Sequence, residues 1–258
     1  MVPNTRIKYR IISNNDIEDF VLNIRENFKA DVKVLYNQRN VIKLFKVNGK
    51  KYVVKSFKIP HLFNRIIYSF FRKSKAERSY INTKKLESLN IGTPSPVAYI
   101  EFYSSFLIKE SFYISEYFDF DYQMSDALYD ETFNDRNSVF RQFAKFTYEI
   151  HNKGVFHSDY NHGNILFKNN KGVYEFSLVD VNRMKFMTLN YNLRMKSMCR
   201  LTKDIDTLKL IIKDYCIVSG ENFDHQMSLL TKYLEKFNQN QENKKILKKI
   251  LKKILRKK

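Results

Sequence analysis

The sequence predicts an α+β chain of two lobes, a small N-terminal lobe built on an antiparallel sheet and a larger, mainly helical C-terminal lobe. Three observations carry that prediction. Short β-rich runs fill residues 31–58, and Asn48-Gly49 between two of them has the composition of a tight hairpin turn. Apolar residues recur at helical spacing over 138–153 and again over 203–215. Between those helices lies a polar stretch, His157-Ser158-Asp159-Tyr160-Asn161-His162-Gly163-Asn164, followed at once by Ile165-Leu166-Phe167, and Asp180 stands sixteen residues beyond Asn164.

Bulk properties bound the answer. At 258 residues with 43% hydrophobic and 15% aromatic content, the chain can bury a core and is not of the disordered class. Two cysteines, Cys199 and Cys216, fit neither a zinc spacing nor a disulfide framework, so a reducing compartment is expected. The first residues lack the apolar core of a signal peptide, and no run approaches the ~20 apolar residues that span a bilayer. These features predict a cytoplasmic protein that could still touch a membrane. The net charge is +19, and the last fifteen residues hold nine Lys or Arg and no acid, which leaves +10 for the rest. Such a surplus favours anionic partners: acidic lipid, phosphorylated substrate or nucleic acid.

The elements follow in order. Residues 5–12 read as a first strand and 16–28 as a helix, with Asn14, Asn15 or Asp16 as cap. A meander comes next: strand 31–36, the turn Asn37-Gln38-Arg39-Asn40, strand 41–47, the Asn48-Gly49 turn and strand 50–58. Residues 58–75 place Leu62, Phe63, Ile66, Ile67, Phe70 and Phe71 at helical spacing beside Arg65, Arg72, Lys73 and Lys75, with no acid. A helix packed on the small lobe is the plainer expectation, and a helix lying in an anionic membrane surface is the alternative. A helix from 74 to 89 ends at Gly92-Thr93-Pro94-Ser95-Pro96. Strands 97–102 and 111–116 complete the small lobe, and Glu116-Tyr117-Phe118 leads out of it. Helical turns near 126–129 and the helix 138–153 open the second lobe. Strand 164–167, the turn 169–172 and strand 173–179 then form a hairpin, and a helix spans 203–215. Lobe boundaries fall at 1–117 and 118–243. Residues 244–258 repeat Lys-Lys-Ile-Leu, and on a helix that apolar pair drifts only about 40° per repeat. A basic amphipathic helix results, which reads as binding an anionic membrane surface.

The polar stretch states a chemistry. An Asp, an Asn five residues later, an apolar strand, and a second Asp after another apolar strand is the spacing of a kinase catalytic loop and its metal-binding Asp. Phosphoryl transfer needs a carboxylate near the acceptor hydroxyl, for which Asp159 is the candidate. It also needs hard oxygen ligands for Mg²⁺, with Mn²⁺ as the alternative ion, and Asn164 and Asp180 supply them. The hairpin is expected to return Asp180 beside Asn164. His157 is expected to hold loop geometry. In Tyr52-Val53-Val54-Lys55, Lys55 follows two Val on the third strand and is the candidate for the ATP phosphates, with Glu77 as its ion-pair partner. Arg39 in the first turn, which has no glycine, is a further phosphate contact. Glu116 marks the segment whose backbone would meet adenine. Asp204 and Asp206 both remain candidates for supporting the catalytic loop. These readings give a bilobal protein-kinase-like fold.

With these residues assembled, the chain resembles the lipopolysaccharide kinases, the Kdo and heptose kinases of the protein-kinase-like superfamily. The segments that carry the resemblance are Arg39-Asn40-Val41-Ile42, Val53-Val54-Lys55, Arg72 through Tyr80, Gly92 through Pro96, His157 through Asn164, and Leu178-Val179-Asp180. It looks most like the branch found in Bacteroidetes-type bacteria. The resemblance implies ATP-dependent phosphorylation of a sugar hydroxyl of the inner core, on Kdo-lipid A or a longer core glycolipid, at the cytoplasmic face of the inner membrane. Gly163 before the Asn, Val181-Asn182 in place of Phe-Gly, and the missing Ala-Pro-Glu separate it from signalling protein kinases, the alternative enzyme class. Retention of Lys55, Glu77, Asp159, Asn164 and Asp180 together argues against a membrane-tethered pseudokinase. The aliphatic stripe of the tail argues against nucleic acid as its partner.

Overall fold

The structure is a computed structural model that describes residues 5–11, 15–59 and 61–255. The chain divides into two compact units, residues 1–119 with 177–183, and residues 120–176 with 184–258.

The first unit is built on a six-stranded antiparallel sheet. Its strands are β1 (Thr5–Ile11), β2 (Val34–Asn37), β3 (Val41–Val47), β4 (Lys50–Phe57), β5 (Pro96–Ser104) and β6 (Leu107–Glu116), in the order β1-β5-β6-β4-β3-β2. Val47 pairs with Lys50 across Asn48-Gly49, and both turn residues have positive φ, the geometry that tight hairpins require and glycine permits. Strand alternation divides the lobe into two cores. On one face Tyr52 and Val54 of β4 meet Ile17, Val21 and Ile24 with Phe45, Ile100 and Phe112. On the other, Phe57 meets Ala76, Tyr80 and Tyr99.

The expected helix 16–28 is two pieces, α1 (Asn15–Leu22) and α2 (Ile24–Asn27), and it covers a face of the sheet and not an edge. The break falls at Asn23, where Asn27 Nδ2 reaches back to the Phe20 carbonyl at 2.9 Å, an acceptor that the ladder of a continuous helix would use. The proposed cap at Asn14 lies outside the described residues. Helix α3 (Leu62–Phe70) precedes α4 (Lys75–Ser88). Ser74 caps α4 by accepting the Glu77 amide at 3.1 Å, which sets where the helix starts. Strand β6 is longer than expected, because a turn at Ser105-Phe106 joins it directly to β5.

In the second unit β7 (Tyr122–Gln123) and α5 (Met124–Tyr129) lead to α6 (Arg136–Asn152). Then come β8 (Val155–His157), β9 (Ile165–Asn170), β10 (Val173–Leu178), β11 (Met184–Phe186), α7 (Tyr191–Met198), α8 (Ile205–Ser219) and α9 (Phe223–Leu255). β9 and β10 form the expected hairpin, with β7 on its other side, while β8 pairs with β11. Phe143 of α6 stacks at 6.0 Å on Tyr160 and sits 5.5 Å from Phe176, so the polar loop is built over an aromatic floor. The tail expected as a separate helix continues α9, a helix of 33 residues. Leu230 and Leu234 in its first half are buried, whereas Ile246, Leu247 and Ile250 are half exposed or more.

Candidate active site

In the first unit, β4 directs Lys55 to the face that α4 covers. Lys55 Nζ lies 2.6 Å from Asp180 Oδ1, and the amine is largely buried. Asp180 has φ of 55°, a left-handed conformation uncommon outside glycine, and is held there by its neighbours. Leu178 N–H donates to Gly92 O, Thr93 Oγ1 donates to Leu178 O, and the Asn82 amide donates to Val181 O at 2.7 Å. Asn182 Nδ2 donates to Asp180 Oδ1 at 2.5 Å. The run 177–183, contiguous in sequence with the second unit, is thus fixed to α4 and to the loop between α4 and β5.

Glu77 does not pair with Lys55. Its carboxylate takes Lys8 Nζ of β1 at 2.7 Å, and Lys8 lies 3.7 Å from Glu101, which accepts a bond from Tyr103 OH. The expected Lys55–Glu77 pair is corrected on this point. The reason is topological: β1 lies beside β5 at the sheet edge and brings a lysine to α4 that no sequence spacing announces.

Lys75, at the start of α4, lies among other cations. Burial, with Arg39, Arg183 and Arg78 nearby, pushes the Lys75 amine down to about 8, while Asp180 acts in the opposite sense. Arg39 of the first turn therefore belongs to the same electrostatic field as Asp180. The Glu116 amide donates to Ser95 O and the Tyr117 amide to Lys51 O, so both are committed to the small lobe's frame.

In the second unit, the loop after β8 is closed on itself. Asp159 N–H donates to Nδ1 of buried His157 at 3.1 Å, which sets the imidazole's accepting face toward the loop. Asn164 Nδ2 donates to the Asp159 carbonyl at 2.9 Å, and Asn161 Nδ2 and N–H donate to the same oxygen. Three donors on one carbonyl hold the loop, and the bond fixes the Asn164 amide with its nitrogen inward. Its Oδ1 is then the atom presented away from Asp159 O, as a hard cation requires. The residues present fit a divalent ion in type. Arg200 Nη1 lies 3.4 Å from Asp159 Oδ1, and its guanidinium stacks 5.1 Å from the Phe237 ring of α9.

Other polar groups of the second unit have partners within it. Asp204 caps α8, accepting from Asp206 N–H, Thr207 N–H and Thr207 Oγ1, while Asp206 is exposed and pairs with Lys209. Asp121 accepts the Asn169 amide at 2.8 Å. His162 stands edge-on to Tyr129. Sequence reading missed Lys8, Asn82 and Asn182, and it did not single out Arg200, which meets Asp159.

Fold and loop define a protein of the protein-kinase-like class. The description "Lipopolysaccharide kinase (Kdo/WaaP) family" matches residues 35–219, and the chain belongs to that family. Among solved structures it is similar to WaaP in complex with acyl carrier protein, at TM-score 0.60 and 15% identity over 88% of this chain and 98% of that one. A double mutant of the Mycobacterium tuberculosis PknI kinase domain matches at TM-score 0.43 and 11% identity, covering 70% and 74%. Comparison with curated proteins finds no match. Family membership makes the chain a kinase of lipopolysaccharide biosynthesis, in a class that uses ATP with a divalent metal. Among the described residues no helix is long and apolar enough to cross a membrane.

Proposed function

We propose that this chain transfers the γ-phosphate of ATP to a hydroxyl of Kdo or heptose in the lipopolysaccharide inner core, working as a peripheral protein on the inner face of the inner membrane. The observation that carries this reading is the Asp159–Asn164 loop, whose hydrogen bonds hold a carboxylate and an oriented amide oxygen five residues apart.

In this reading Asp159 accepts the proton of the attacking hydroxyl, and Arg200 holds its carboxylate in place. Asn164 and Asp180 are the ligands for Mg²⁺, which when bound neutralises charge on the phosphates. Lys55 binds the α and β phosphates with Arg39. Glu77 positions α4 through Lys8 and not through Lys55. Adenine meets backbone just past Glu116, since the Glu116 and Tyr117 amides are already engaged. The acceptor is Kdo-lipid A or a longer core glycolipid, brought by an anionic membrane on which the basic C-terminal segment 244–258 rests.

The test is transfer of labelled phosphate from ATP to Kdo-lipid A or a longer core acceptor in vesicles, with a generic protein substrate in parallel. Label is expected in the glycolipid, and Asp159→Asn is expected to lower it by on the order of 10²–10⁴ while ATP still binds. Label only in protein would replace the acceptor class, and an unchanged rate in Asp159→Asn would remove it as the base.

A further inference from the structure

Helix α3 is attached to the small lobe by the wrong face for a core helix. Arg65 and Ser69, one turn apart, face β6: Arg65 Nε donates to Ile108 O at 2.8 Å, and Ser69 Oγ accepts the Ile108 amide at 2.9 Å. Three of its apolar residues point elsewhere. Leu62, Ile66 and Phe70, spaced four apart on one stripe, are 62%, 41% and 60% exposed, and Phe71 directly after the helix is 81% exposed. Phe106, at the tip of the turn that leads into the same Ile108, is 71% exposed. Five large apolar side chains, adjacent in sequence or tied to one strand, are thus left in contact with water, four of them 60% exposed or more.

Charge identifies what covers them. Arg72 and Lys73 follow the stripe and are exposed, and residues 58–76 contain no acid. A second copy of this strongly basic chain would be repelled, and a neutral apolar groove would make no use of the cations. An anionic lipid surface takes both: the headgroups meet the cations and the acyl boundary takes the aliphatic and aromatic side chains. From this we infer that α3, with Phe71 and the Phe106 turn, is an interfacial membrane anchor of the first unit, independent of the α9 tail. The inference deepens the membrane-surface reading above and rests on it.

Co-sedimentation of the full chain with phosphatidylglycerol vesicles, against phosphatidylcholine vesicles, tests it. Phe70→Ser with Phe71→Ser is expected to lower partition into anionic vesicles by on the order of tenfold or more. These side chains are exposed, so the melting temperature is expected to stay the same. A probe is then placed through Leu62→Cys, Ile66→Cys, Phe70→Cys or Asn64→Cys, which is selective because Cys199 and Cys216 are buried. Emission at 62, 66 and 70 is expected to shift blue on anionic vesicles, and at 64 it is expected to stay. Equal shifts at all four sites, or at none, would overturn insertion of this stripe. So would unchanged partition in the double variant, with binding lost only on Ile246→Ser with Ile250→Ser; that outcome leaves the tail as the membrane contact. Concentration-dependent dimerisation removed by the double variant, with vesicle binding unaffected, would assign the face to a second copy and also overturn it. Phosphate transfer to detergent-dispersed glycolipid, measured on the same proteins, separates the two readings, since its absence in the wild type would count against the kinase assignment and not against α3.

Discussion

At the scale of single residues, burial decides which polar groups are chemical and which are architectural. His151 is fully enclosed in the second unit, with Nδ1 3.1 Å from Tyr215 OH and Nε2 2.8 Å from Ser197 Oγ. Burial, and secondarily the Arg194 charge, pushes it down to about 3, so it stays neutral in the fold. Unfolding lets it take a proton below its ordinary value near 6.5. Its contribution to stability is therefore complete above about pH 6.5 and is lost as pH falls toward 3, at up to about 1.4 kcal/mol per pH unit. Thermal melts of the wild type between pH 7.5 and 5 are expected to show that decline, and His151→Gln, although less stable at pH 7.5, is expected to show a shallower one. An equal slope in both proteins would place the sensitive group elsewhere. By contrast, Asp159 and Arg200 are both about a third exposed, accessible enough to meet an acceptor.

At the scale of elements, short turns place the chemistry. Gly154 links α6 to β8, which leads into the loop His157–Asn164. Its φ is +74°, and a Cβ there would lie 2.9 Å from the Met187 carbonyl oxygen, whose own residue donates its amide to Gly154 O. Gly154→Ala meets both a left-handed backbone and a backbone clash, so it is expected to cost about 2 kcal/mol or more, read as a lowered denaturation midpoint with loss of the β8–β11 pairing. A fully stable Gly154→Ala would show that this turn has another conformation available. The hairpin of β9 and β10 and the strand bearing Lys55 were legible in sequence because period-2 patterns and turn residues are local. The division of 16–28 at Asn23 was less so, since it goes with the Asn27 side chain taking the Phe20 carbonyl of the helix ladder.

At the scale of the whole molecule, a charge of +19 concentrated partly in one terminus sets up attraction to anionic surfaces. The tail's cations act through headgroup electrostatics, which salt screens over about 8 Å at physiological strength. Deleting 244–258 is expected to lower vesicle partition by on the order of tenfold or more at low salt and by less at high salt, leaving transfer to detergent-dispersed acceptor intact. Retained binding at low salt would exclude the tail as an electrostatic contact. The sequence by itself determined the α+β class, and it singled out the run His157–Asn164 as the candidate loop, because residue type and short spacing are local properties. Tertiary structure alone decided three things. Glu77 answers to Lys8, since strand order β1-β5 brings together residues 69 apart. The segment carrying Asp180 is fastened to α4 and to the loop that follows it, by hydrogen bonds from Asn82 to Val181 O and from Thr93 to Leu178 O. Helix α3 shows its apolar stripe to the outside, for periodicity reveals that a helix has two faces, and only the bonds to Ile108 reveal which one the lobe holds.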